Sequence, residues 1–225
     1  MNLIVRDISN ILLKGVWNTT MLLLLYVSPL LTACNGDSDN EDNPPYPSLI
    51  TEFVDISTDE YGRAHTIVND DHTIFQLSNP IDGLQVSATY RAVCGYEITD
   101  WDKRIITLYT IEAVDILKAK DTPKCDAIKV TAIWKGGDYL NMNLTPKTQG
   151  GKQEWGYHID NITNKQGYSI YYISLFHDQK DDLPSYSDTH YACVYLPHLT
   201  DIQPSDSVYL TITTPDGNKT WGFAY

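Results

Sequence analysis

Positive charge is scarce in this chain: 16 Lys and Arg stand against 29 Asp and Glu, a formal net charge of -13. So acidic a body repels phosphate backbones and anionic headgroups, which disfavours nucleic acid as a partner. Cysteine is scarce too, with four in 225 residues. Long apolar runs are missing: residues 21–31 (MLLLLYVSPLL) fall short of the roughly 20 residues a membrane-spanning helix needs. The motifs of several chemistries are also missing. There is no G-x-S-x-G elbow, phosphate-binding loop, H-E-x-x-H, dinucleotide fingerprint or C-x-x-C, so no nucleophile, nucleotide or metal-hydrolase site is announced. The chemistry favours no cofactor, no resident metal and no enzyme.

What is present begins at the short apolar run. Its length suits a secretory h-region, with Arg6 and Lys14 as the positive segment before it. Met21 is a second candidate start, although a signal beginning there would lack that charge. Pro29 argues against a buried core helix. The run ends in Leu31-Thr32-Ala33-Cys34, which resembles a bacterial lipobox. In that motif small residues fit the peptidase cleft, and the cysteine takes a thioether-linked lipid and becomes the mature N-terminus. Several acyl chains on Cys34 would give a lasting membrane anchor, since each buried methylene adds about 0.8 kcal/mol.

Residues 34–47 follow as CNGDSDNEDNPPYP, too polar and proline-rich to offset the entropy of ordering, and are expected to form a flexible acidic tether. A calcium loop starting at Asp37 would need a carboxylate at its twelfth position, where Ser48 stands. Acidic residues just behind the lipidated cysteine also resemble the surface-export signal of some Gram-negative lipoproteins. The expected location is therefore the outer membrane, surface-exposed, with a periplasm-facing orientation as the alternative. Loss of residues 1–33 removes Arg6, Lys14 and Asp7, leaving a mature charge near -14. In an oxidising space a Cys94–Cys125 disulfide is favoured over pairings with Cys193, closing a loop that stabilises by about 3–4 kcal/mol.

From Tyr46 onward the pattern is all-β: short β-branched and aromatic runs separated by Gly, Pro, Asn and Asp. The first block predicts strands near 50–57, 64–69, 73–77, 84–98 and 103–117. In the fourth, Val86, Ala88, Tyr90, Ala92, Cys94 and Tyr96 share one face, while Gln85, Ser87, Thr89 and Arg91 point the other way. Five strands, two of them long enough to curl, suit a small OB-like β-barrel over residues 48–119. The polar stretch KAKDTPKCD breaks the alternation and is read as the boundary. Residues 125–225 then supply about seven short strands, expected to form an antiparallel immunoglobulin-like β-sandwich. Alternation of Ile128, Val130, Ala132 and Trp134 places Trp134 inward, with Trp155.

The run DAIKVTAIWKGGDYLNMNLTPKTQGGKQEWGYHI, followed by YYISLFHDQKDD, resembles the second domain of the NigD-like lipoproteins. It has their opening strand, their Gly-Gly-x-Tyr-Leu turn, a long Gly-containing hairpin and a strand ending in His. The resemblance implies a lipid anchor, an OB-like barrel and a C-terminal sandwich. It also implies an accessory role in a bacteriocin or immunity setting, and it supplies no catalytic residues. The loop DQKDDLPSYSDT after His177 departs from the family pattern.

Two local groupings bear on chemistry. His177, Asp178, Asp181, Asp182 and His190 could be gathered by one loop into a divalent-cation site, set against a plain hairpin loop in which His177 closes a strand by a hydrogen bond. Cys193 lies among apolar neighbours, unlike a reactive thiol. The remaining resource is aromatic, with five Trp and 16 Tyr. Exposed members, Trp101 among them, could anchor a protein partner or stack on a glycan; the remaining alternative is a hydrolase whose site assembles between the two domains.

Overall fold

The computed structural model describes residues 48–225. The signal segment, the tether and Cys34 lie outside them. Five strands come first: β1 (Ile50–Ser57), β2 (Ala64–Asn69), β3 (Ile74–Ile81), β4 (Thr89–Asp100) and β5 (Ile105–Ala113). They close into a barrel in the order β1-β2-β3-β5-β4. Closure abolishes free edges, and alternation fills the interior with Val54, Ile56, Ile67, Phe75, Leu77, Ala92, Cys94, Tyr96, Ile106 and Leu108. The fourth strand starts later than the alternation suggests. Val86 stays exposed in the loop before it, where Leu84, Gln85 and Ser87 tie that loop to the β1–β2 turn.

The second unit opens with β6 (Asp115–Ile116), β7 (Lys129–Gly136), β8 (Tyr139–Thr145) and β9 (Lys147–Thr148). Then come β10 (Glu154–Lys165), β11 (Tyr168–Asp178), β12 (Tyr186–Ser187), β13 (His190–Tyr195), β14 (Ser207–Thr214) and β15 (Gly217–Ala224). One sheet runs β6-β13-β8-β7 and the other β10-β11-β14-β15. The pairings are antiparallel apart from one parallel pair in each sheet, β13 with β6 and β11 with β14. Between the sheets lies a core that includes Ile128, Leu140, Met142, Leu144, Tyr157, Tyr171, Ile173, Ala192, Val194, Val208 and Leu210.

The chain passes from barrel to sandwich earlier than its composition indicates. Ala113 is the last barrel residue in β5, whereas β6 already pairs with β13 and Leu117 already sits in the sandwich core. The polar stretch after it is no linker. Ala119 pairs with Tyr157 and Cys125 with His177, so this stretch straps the outside of the second sheet. Its polarity reflects a solvent-facing side, and its backbone is paired.

The expected Cys94–Cys125 disulfide is not formed. Cys94 points into the barrel core, Cys125 is exposed on the strap, and both are free thiols, as is buried Cys193. Burial pushes the thiol pKa of Cys94 and of Cys193 up to about 12, so neither is a ready nucleophile. Trp134 also departs from expectation. A bulge between Val130 and Ala132 inserts one residue into β7 and so reverses the alternation. Ile133 then faces the sandwich core while Trp134 faces the barrel.

Candidate functional site

Three places concentrate polar or aromatic side chains, and their geometry separates side chains engaged within the fold from an exposed aromatic row.

The first is the joint between barrel and sandwich. The barrel lays the outer faces of β1 and β4 against the outer face of the β6-β13-β8-β7 sheet. Phe53 packs edge-on against Trp134 and Tyr191, with ring centroids 4.9 and 5.7 Å apart, beside Val93, Val114 and Cys193. Arg91, read from the sequence as outward-pointing, is buried here. Its guanidinium bonds the carboxylates of Asp55 and Asp70 and the Asn141 side-chain oxygen, and lies 4.0 Å from the centre of the Tyr139 ring. Asn141 in turn donates to Asp70. Burial raises the Asp55 pKa, a shift that Arg91 and a bond from Tyr139 oppose.

The Lys135-Gly136-Gly137-Asp138 turn explains its own glycines at this joint. A Cβ on Gly136 would overlap the Asp70 carboxylate, and Gly137 has φ +54° with the Asp70 backbone oxygen close by. Only glycine lets the turn approach this near. The segment 136–141 is therefore the socket for the barrel: two glycines for approach, Tyr139 over Arg91, Leu140 into the core, Asn141 onto Arg91 and Asp70.

The second place is the end of the sandwich holding the expected cation ligands. The structure does not bring them together. The indole of Trp155 is sandwiched between His177 and His190, with centroids 4.1 and 4.3 Å away. Among the described residues no three His, Cys, Asp or Glu side chains converge as metal ligands. His177 donates from Nδ1 to the Asp126 carbonyl, and its Nε2 meets Gln153 Oε1, both at 2.9 Å. The Gln153 amide is oriented by donating to the Lys147 carbonyl and to Asp182. Both ring nitrogens of His177 thus face oxygens, which favours the imidazolium, while burial acts more strongly and lowers its pKa. His190 is lowered too, again chiefly by burial, and its Nε2 has no hydrogen-bond partner.

Asp182 is an anchor. It accepts from Thr148 Oγ1, the backbone N–H groups of Gln149 and Gly151, and Gln153 Nε2, so its pKa falls to about 2. Asp178 caps Lys180 N–H, and Asp181 lies on the exposed loop. This acidic loop is fastened to the β9–β10 loop by its one buried carboxylate. His177 does close its strand by hydrogen bonds, but the group is no plain solvated loop: His177 and Asp182 are buried, and both histidines stack on Trp155 from strands β11 and β13.

The third place was not singled out from the sequence. On the outer face of the β10-β11-β14-β15 sheet, Asn161, Tyr172, Tyr209 and Gly222 stand opposite one another in a row across all four strands. A Cβ on Gly222 would come 2.7 Å from the Tyr209 ring, so that ring lies over the glycine. Tyr172 stacks on Tyr209 at 5.5 Å and 21°. Both remain 38% exposed, enough to offer ring surface to a ligand. Beside them Ser174 donates to Asp160, and Thr211 bonds Thr220. The only sequence signal was Tyr-Tyr at 171–172, where alternation makes one ring core and the other surface. Trp101, at 72% exposed on the β4–β5 turn, stands apart from this row.

Known proteins agree with this architecture. Residues 112–225 match the family model of the NigD-like C-terminal beta sandwich domain. A NigD-like immunity protein from Bacteroides caccae is 21% identical over 80% of this chain and 98% of that one, with a TM-score of 0.59. A candidate toxin-related protein from Parabacteroides distasonis is 12% identical over 79% and 93%, with a TM-score of 0.62. A candidate lipoprotein from Bacteroides fragilis is 13% identical over 80% and 98%, at 0.58. At these identities the likeness shows the fold. No curated protein is similar to the chain.

Proposed function

Since the chain belongs to the family with a NigD-like C-terminal β-sandwich, we propose that it is an exported bacterial lipoprotein, anchored through Cys34, that binds a protein partner and catalyses no reaction. The observation that carries the reading is the exposed Tyr172–Tyr209 stack on the outer face of the β10-β11-β14-β15 sheet, which the barrel does not cover among the described residues. Tyrosines of this kind bring large area at low entropic cost and dominate many protein interfaces. Apart from Arg91 Nε and His190 Nε2, which have no hydrogen-bond partner among the described residues, the buried polar side chains described at the two other places are engaged within the fold, which supports structural rather than catalytic roles for Arg91, Asp182 and His177.

The lipobox and the lipoprotein description of the Bacteroides fragilis relative support the anchor. Among the described residues no helix is long and apolar enough to cross a membrane. The acidic residues behind Cys34 favour the outer surface of the outer membrane, with the periplasmic face as the alternative. The immunity-protein description of the Bacteroides caccae relative favours an antagonism or immunity setting.

A photo-reactive side chain at Tyr172, irradiated in intact cells, tests the binding reading. The expected result is a discrete cross-linked product that is absent when the same probe replaces exposed Tyr61. A Cys34→Ala variant should leave the membrane fraction; retention there contradicts the anchor.

A second reading draws on the same row. Asp160, Asn161, Thr211 and Thr220 fringe the ring faces with hydroxyl-binding groups, the chemistry of a neutral glycan platform. Oligosaccharide titration read by Trp221 fluorescence decides it: a saturable change lost in Tyr209→Ala supports a glycan, and a flat signal supports a protein.

A further inference from the structure

The sandwich has four sheet edges, and three carry protection. β6 is two residues long. β7 contains a bulge and two lysines, Lys129 and Lys135. β10 is covered where Ala119 pairs with Tyr157 and is bulged between Ile159 and Asn161. Short strands, bulges, lysines and covering segments are the devices that stop a sheet from growing. The remaining edge, β15, carries only one of them, the single Lys219. Its eight residues stay in unbroken register with β14, contain no proline, and include one charge, Lys219. Among the described residues, β15 pairs with β14 alone.

The hydrogen-bonding side of each residue follows from register. Tyr225 N–H donates to the Asp206 carbonyl, continuing the β14–β15 ladder. Alternation in an antiparallel pair then turns the backbone groups of Gly217, Lys219, Trp221 and Phe223 toward β14, and those of Asn218, Thr220, Gly222 and Ala224 outward. Four residues present N–H and C=O groups at two-residue spacing, the template an added strand requires. The Tyr209 ring over Gly222 adjoins this edge, so one partner could use both features.

We propose that β15 is a docking edge at which an extended segment of the protein partner adds as a further strand, joined mainly by backbone hydrogen bonds. This rests on the protein-partner reading above. A mature chain of charge near -14 selects a neutral or basic segment and disfavours a second copy of itself.

The test uses the full described chain and a synthetic eight-residue peptide of alternating valine and lysine. In the free protein, amide exchange should be fast at Asn218, Thr220, Gly222 and Ala224, and slow at Lys219, Trp221 and Phe223. The peptide should slow the first four. Thr220→Pro removes an outward N–H while sparing the β14 ladder, and should weaken the peptide by about tenfold. Thr220→Val keeps the backbone and should bind like the parent, and a valine–glutamate peptide should bind worse. An unaltered melting temperature in Thr220→Pro shows that the fold survives.

Protection of all eight amides in a dimer overturns the proposal by putting a second copy on the edge. Absence of peptide binding, or equal loss in Thr220→Val, overturns it as well. If the peptide fails while Tyr172 still cross-links in cells, only the docking edge falls. If neither reports a contact, the partner reading falls with it.

Discussion

The Asp70 carboxylate occupies the space that a Cβ on Gly136 would fill, so the barrel's β2–β3 turn and the sandwich's β7–β8 turn meet without side chain on one side. Asp70 also holds Arg91 and Asn141, one from each domain. The glycine pair of the β7–β8 turn is thereby a mechanical feature, a seat for the N-terminal domain.

Gly136→Ala should push that seat apart. Overpacking of a close contact costs about 1–3 kcal/mol, and here it also displaces a carboxylate from Arg91. Denaturant unfolding followed through Trp134 fluorescence measures the loss. A stability equal to the parent's would mean that the turn does not bear on the barrel.

Arg91→Ala removes the cation between two partly buried acids. Breaking a buried pair by deleting one partner costs about 3–5 kcal/mol. Proteolysis should then cut near Val114, which is 8% exposed at the joint in the parent. Continued resistance there would contradict the role assigned to Arg91.

The Trp155 stack makes a pH prediction. His177 and His190 both have pKa values lowered by burial, so the unfolded chain takes up their protons first. Stability is present above the ordinary histidine pKa of about 6.5 and falls as pH drops through the lower folded values. Asp115 and Asp188 face His190 and oppose the shift, while His177 across the indole adds to it. His190→Phe keeps a ring on Trp155 without the titration. Its stability should change less than the parent's between pH 7 and 5, and an identical slope would remove His190 from the account.

Asp182 acts lower on the scale. Its folded pKa of about 2 lies under the ordinary carboxylate value of 3.8, so its contribution is present above that value and fades as pH falls toward 2. Asp182→Asn should free the β9–β10 loop at neutral pH, giving cleavage near Lys152 that the parent shows only in strong acid. Equal protection in both would contradict the anchor.

The strands were readable where one face is buried and the other wet. β1 and β2 match their sequence bounds, and in β14 Val208, Leu210 and Ile212 alternate with exposed or half-buried neighbours. Alternation failed where a third surface intervened. Alternation puts Arg91 on the solvent face of β4, yet that face is covered by another domain. Trp134 was misplaced because a one-residue bulge leaves no compositional mark. The His177 loop looked like a ligand set because spacing along the chain cannot show that an indole separates two imidazoles. The Tyr172–Tyr209 row was invisible because it depends on a parallel pairing between strands more than 30 residues apart.

The measurement that bears most directly on the joint is nitrogen-15 relaxation of amides in both domains. One rigid body, locked through Arg91, Asp70 and the 136–141 socket, predicts a single rotational correlation time for barrel and sandwich, which separates into two in Gly136→Ala. Two distinct times in the unaltered protein would contradict the account.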